Sequence, residues 1–99
     1  MERVNLLACY DVQTAEPKGR IRLRRMAKAC EAYGQRVQNS VFELTVTHAD
    51  YQRFLTRALK IIEPSEDSLR IYVLSNNREQ VVQVYGVDRW QDFESCLLV

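Results

Sequence analysis

In RVNLLACY, residues 3 to 10, apolar side chains run almost unbroken over a length that suits a strand and falls short of a typical helix. Such a run predicts a strand buried on both faces, as in the centre of a sheet covered by helices. The polar stretch VQTAEP, residues 12 to 17, reads as a loop, and Pro17 suits the first turn of a helix, where its missing N–H has no bond to lose. From Lys18 to Tyr33, the residues Leu23, Met26, Ala27, Cys30 and Tyr33 recur at helical spacing on one face. Arg20, Arg24 and Lys28 line another face, with Arg22 and Arg25 on its flank, and Gly34 is the expected stop.

Residues 35 to 47 then change period. Val37, Val41 with Phe42, Leu44 and Val46 alternate as a strand, which the Asn39-Ser40 pair divides into two short pieces. Thr47-His-Ala-Asp50 resembles a capping box with Asp in the place of Glu. Behind it, Tyr51, Phe54, Leu55, Ala58, Leu59 and Ile62 form an apolar stripe that Glu63-Pro64 ends. Residues 68 to 75 predict another strand, Asn76-Asn77 a turn, and Val81 to Val87 a further strand. The tail from Asp88 is polar and closes on Cys96-Leu-Leu-Val, which suits an edge strand.

That order predicts an α+β ferredoxin-like βαββαβ sandwich with an additional C-terminal strand: a four-stranded antiparallel sheet with two helices on one face. With 99 residues there is room for one domain, about 1–76 as its core and 77–99 as a C-terminal strand and tail. Two helices leave the other sheet face bare. A bare apolar face on so small a protein predicts a homodimer, with the apolar tail placed to pack on the partner.

Composition changes this picture little. Apolar residues at 46% and charged residues at 27% are ordinary for a globular protein. No apolar run approaches the roughly 18 to 20 residues that cross a bilayer, so no membrane partner is expected. The start, MERVNLLACYDV, lacks the pattern of a signal peptide, which makes the cytoplasm the expected compartment. Cys9, Cys30 and Cys96 are odd in number and far apart, which argues against both a disulfide framework and a zinc site.

Charge distribution says more than the net charge of +1. Lys18, Arg20, Arg22, Arg24, Arg25 and Lys28 form a block without an acid, while acids gather elsewhere, as in Glu63-Pro-Ser-Glu66-Asp67. A cationic block on a nearly neutral chain suits a polyanion. Just before it, Asp11 ends an apolar strand that does not need an acid. The plainest role for Asp11 is to cap the following loop. With phosphate-binding cations beside it, a strand-end carboxylate also suits Mg²⁺ or Mn²⁺, most fully if a two-fold axis pairs it with its mate. There is no Gly-rich phosphate loop, the lone His48 sits at a helix start as a cap or surface residue, and Ser40 has no His for a triad.

Four stretches carry a resemblance. Tyr10-Asp11, the block from Gly19 to Arg25, the segment GQRVQNSVFE from Gly34 to Glu43, and Asp67-Ser-Leu-Arg-Ile-Tyr72 occur in the order seen in the CRISPR-associated Cas-two family. The chain resembles this family over essentially its whole length, and the shorter proteins of type I systems most closely. The resemblance implies a ferredoxin-like homodimer and a Mg²⁺- or Mn²⁺-dependent endonuclease that hydrolyses RNA or double-stranded DNA in spacer acquisition. It further implies Asp11 as the metal ligand, paired across the dimer axis, with Tyr10 beside it. Arg20 and Arg22 would lie near the phosphate, and Arg36, Ser40 and Phe42 near the cleft. Lys18, Arg20, Arg22, Arg24, Arg25, Lys28 and Arg36 would carry nucleic acid. Lys18 departs from the Arg that some members have.

Two readings follow from the resemblance: the endonuclease, and a non-catalytic scaffold that grips duplex DNA and bridges dimers of the integrase Cas-one. Physically, a metal would neutralise phosphate charge and arginines would hold the backbone without reading bases. No residue stands out as a general base. An RNA-binding module of the RRM type fits poorly, since its RNP1 pattern is absent.

Overall fold

The computed structural model describes residues 2–74 and 80–86. Its elements are β1 (Arg3–Asp11), α1 (Pro17–Glu31), β2 (Gly34–Gln38), β3 (Val41–Thr47), α2 (His48–Ile61), β4 (Ser68–Leu74) and β5 (Gln80–Gly86). The sheet runs β2-β3-β1-β4-β5, with every neighbouring pair antiparallel. The first four strands and two helices have the expected ferredoxin-like topology, and β5 extends the sheet beyond β4.

Strand β1 lies at the centre, and its unbroken hydrophobicity has the expected cause. On the helix side, Leu6, Ala8 and Tyr10 join Phe42, Leu44 and Val46 of β3 and Leu69 and Ile71 of β4 in the main core. Met26, Ala29 and Cys30 of α1 and Tyr51, Phe54, Ala58 and Ile61 of α2 cover them. On the opposite face Leu7 and Cys9 pack with Val41 and Tyr72. The period of two along β1 thus feeds two clusters.

Two local expectations change. Glycine 34 does not stop α1; Ala32 caps the helix in right-handed geometry, and Gly34 opens β2. A methyl group on Gly34 would overlap the carbonyl oxygen of Glu43, so the glycine serves the close approach of β2 to β3. Leu59 is 40% exposed, outside the buried stripe, because Phe54, Ala58 and Ile61 set the inward face and Leu59 is turned about 100° from Ala58. Strand β1 ends on Asp11, as expected, where it pairs with Ser68. The divide at Asn39-Ser40 and the Thr47 cap stand as expected, with the Asp50 N–H donating to Thr47 Oγ1 at 3.1 Å. The turn at Asn76-Asn77 and the tail strand lie outside the described residues. Among those described, no helix is long and apolar enough to cross a membrane.

Candidate active site

Asp11 occupies the last rung of the β1–β4 ladder, opposite Ser68, and is half-buried. It lines a cleft of about 230 Å³. Thr14, Ser40, Ser68 and Arg70 supply the polar part of the lining, and Cys9, Leu23 and Val41 supply apolar surface. Ser40 is held there by the β2–β3 turn, whose carbonyl accepts the Tyr10 N–H at 3.1 Å. Arg70 sits opposite Cys9 in the ladder, and its Nη1 donates to the Tyr72 hydroxyl at 3.2 Å. One carboxylate, three hydroxyls and a guanidinium make a cleft of hard oxygen donors with one cation. That chemistry suits a phosphate and an oxygen-loving divalent ion. Among the described residues, no three His, Cys, Asp or Glu side chains gather to hold a metal within one chain.

The other residues expected around Asp11 divide. Tyr10 lines the same cleft, while its ring stacks on Phe42 at 6.1 Å between centroids within the main core. Burial, with Cys30 adding to it and the Arg36 guanidinium opposing, pushes the Tyr10 phenol up to about 12. Phe42 is fully buried beneath Arg36, whose guanidinium carbon lies 5.1 Å from the ring centroid. Arg36 also meets Glu31 at 3.8 Å. Tyr10, Phe42 and Arg36 therefore form one stack through the helix side of β1, β3 and β2. Neither Arg36 nor Phe42 lines the Asp11 cleft, whereas Ser40 does.

The cationic block separates too. Lys18, Arg20, Arg24, Arg25 and Lys28 are exposed, and Arg20 Nη1 reaches the Thr14 carbonyl at 3.4 Å, beside the cleft. Arg25 and Lys28 line a groove with Arg57 and Lys60 of α2, a juxtaposition created by the packing of the two helices. Arg22 is turned inward. Its Nε and Nη2 donate to Asp67 at 2.8 and 3.2 Å, and its Nη2 also meets Glu66 at 3.1 Å. The guanidinium placed near phosphate by sequence is occupied by carboxylates.

Asp67 and Arg70 are the residues that sequence reasoning missed. Asp67 sits within an acidic stretch that reads as solvated surface, yet its side chain is 0% exposed. Burial alone would raise its carboxyl. The Arg22 fork, the backbone N–H groups of Glu63 and Gln13 and the Arg22 charge outweigh that and hold it below its ordinary value. Arg70 gave a signal in alternation: a lone cation in SLRIYVLS, on the strand face that Asp11 shares through the ladder. His48, the first residue of α2, is exposed, as expected of a helix start.

Residues 4–82 match the family described as CRISPR associated protein Cas2. A CRISPR-associated endoribonuclease Cas2 from Rhodospirillum rubrum is 47% identical over 95% of this chain and 99% of its own length. A CRISPR-associated endonuclease Cas2 from Halalkalibacterium halodurans is 44% identical over 94% of this chain and 97% of its own. Among solved structures, Streptococcus pyogenes Cas2 superimposes with a TM-score of 0.68 at 51% identity, covering 74% of this chain and 88% of that one.

Proposed function

The chain belongs to the CRISPR-associated Cas2 family, and from that premise we propose that it is a metal-dependent endonuclease hydrolysing phosphodiester bonds in RNA or double-stranded DNA, acting in spacer acquisition. The observation that carries the reading is the cleft itself: a strand-end carboxylate, Asp11, rimmed by hydroxyls and Arg70 and flanked by Arg20. The relatives named endoribonuclease or endonuclease support it. Asp11, with the oxygens of Thr14, Ser40 and Ser68, fits a hard divalent cation, Mg²⁺ or Mn²⁺. When bound, such an ion offsets phosphate charge and makes a water nucleophilic near neutral pH.

One carboxylate is a sparse site, so the reading includes a homodimer that brings two Asp11 side chains together. Arg20 and Arg70 hold phosphate oxygens through charge-assisted hydrogen bonds and do not read bases. Burial pushes the Tyr10 phenol up to about 12, so Tyr10 takes a supporting role. Its ring and that of Phe42 support the end of the sheet from below. Arg22 leaves the set of phosphate-binding residues, because Asp67 holds it.

A second reading, the non-catalytic scaffold bridging Cas-one dimers, is favoured by one observation. Arg25, Lys28, Arg57 and Lys60 line a groove together with Ile61 and no acid, and none of them lines the Asp11 cleft. Such a surface grips a phosphate backbone without chemistry.

A cleavage panel of single- and double-stranded RNA and DNA tests the main reading. Asp11→Ala is expected to lower the rate by more than the roughly 10- to 100-fold typical of changes around a metal's ligands. EDTA should stop cleavage and Mg²⁺ or Mn²⁺ restore it, while sedimentation of the same samples should give a dimer mass. Cleavage undiminished by EDTA and by Asp11→Ala would overturn the metal-dependent reading, whereas wild type that binds but cleaves none of the four substrates would leave the scaffold as the reading that stands.

A further inference from the structure

Asp67 does not line the Asp11 cleft, yet it accepts four hydrogen bonds: two from Arg22, one from the Glu63 N–H and one from the Gln13 N–H, the last at 3.0 Å. Gln13 lies two residues beyond Asp11. Asp67 immediately precedes Ser68, the cross-strand partner of Asp11. The carboxylate thus bridges β1 and β4 one step beyond the last rung of their ladder, where β1 has turned away into its loop.

Two further contacts converge on the same piece of backbone. Gly19, in the first turn of α1, is buried against the Gln13 carbonyl so closely that a methyl group on it would overlap that oxygen. The side chain of Val12, between Asp11 and Gln13, is buried in the main core. The residue after Asp11 is anchored by its side chain, and the next by its N–H, with its carbonyl packed against Gly19. Arg22, one turn beyond Gly19, closes the circuit by gripping Asp67 through Nε and Nη2.

A buried ion pair seldom adds much net stability over an apolar substitute; its best-attested use is to fix one arrangement among several. The arrangement fixed here is the exit of β1, the only covalent support of Asp11 on that side. We infer that Asp67, held by Arg22, is the positioning residue for Asp11: it sets the direction in which the Asp11 carboxylate meets the divalent cation. This rests on the metal-dependent reading above. Functional side chains must be held to within about half an ångström by their supporting shell, and here that shell comes from α1 and the α2–β4 turn.

The test compares wild type, Arg22→Gln, Arg22→Lys, Asp67→Asn and Asp11→Ala. Mn²⁺ binding is read by paramagnetic resonance, kcat and KM on one substrate, and folding by circular dichroism. Arg22→Gln is expected to stay folded, weaken Mn²⁺ binding about 10- to 100-fold, as outer partners of metal ligands do, and lower kcat with KM unchanged. Arg22→Lys, which keeps the charge but loses the fork, should fall between. If Asp67→Asn does not fold, the Arg22 pair decides the question. Loss of Mn²⁺ binding in Asp11→Ala with unchanged binding and kcat in Arg22→Gln overturns the positioning role alone. Unchanged Mn²⁺ binding in Asp11→Ala overturns the metal reading beneath it.

Discussion

Tyr10 and Asp11 are adjacent in sequence and opposite in environment. Alternation along β1 packs the Tyr10 ring against Phe42 in the core and leaves Asp11 half-buried at the cleft that both residues line. A phenol pushed up to about 12 holds its proton at any working pH, so Tyr10→Phe is expected to cleave within a few-fold of wild type. Tyr10→Ala, which removes the whole ring, should destabilise by about 3–5 kcal/mol, the usual cost of deleting a buried aromatic side chain. Initial rates and urea midpoints check the two halves of this prediction. For Asp67, the folded carboxyl titrates below its ordinary value of 3.8. A lowered folded pKa contributes stability above the unfolded value, and that stability is lost as pH falls through the folded one. Unfolding midpoints should therefore hold from neutral pH down to about 4 and then drop. The drop should be shallower in Asp67→Asn; an identical acid limb would exclude Asp67 as its source.

At the scale of elements, what sequence showed depended on whether a signal was local or tertiary. The apolar run of β1, the Pro17 start, the Asn39-Ser40 divide and the Thr47 cap are local chemistry, and each lies where the pattern put it. Gly34 was legible as special but not for its reason, because the carbonyl it approaches belongs to Glu43 across the sheet. Asp67 was illegible for the same cause: its partners Arg22 and Gln13 are 45 and 54 residues away. Gly19 illustrates the conflict between scales. Within an isolated helix, Ala in its place would gain roughly 1 kcal/mol. Here the added methyl meets the Gln13 carbonyl, so Gly19→Ala is expected to destabilise by about 1–3 kcal/mol, as overpacking usually does. Chemical denaturation reads the sign directly. A stabilised variant would mean that α1 can slide away from the Asp11 loop.

Across the whole molecule, a block that looks continuous in sequence separates into three fates. Arg20 leans on the loop beside the Asp11 cleft, Arg22 is locked to Asp67, and Arg25 and Lys28 join Arg57 and Lys60. Only the antiparallel strands and the helices packed on them decide this, because Arg20 and Arg22, two apart on α1, face different neighbours. With a net charge of +1, the chain as a whole exerts little attraction on a polyanion, so binding must come from local groups. Removing one cation that meets a phosphate should reduce the slope of log affinity against log salt by about 0.9 on duplex DNA. Arg20→Ala is therefore expected to reduce the slope by about one unit and to slow cleavage, since Arg20 leans on Thr14 at the cleft where the phosphate is proposed to react. Arg57→Ala with Lys60→Ala should reduce the slope by up to about two units on duplex DNA while leaving the cleavage rate at saturating substrate unchanged. Affinities measured over a series of salt concentrations, alongside single-turnover rates, separate the two sets. A fall in the saturated rate of the double variant would tie the helix groove to the chemistry; an unchanged slope would remove it from the nucleic-acid surface.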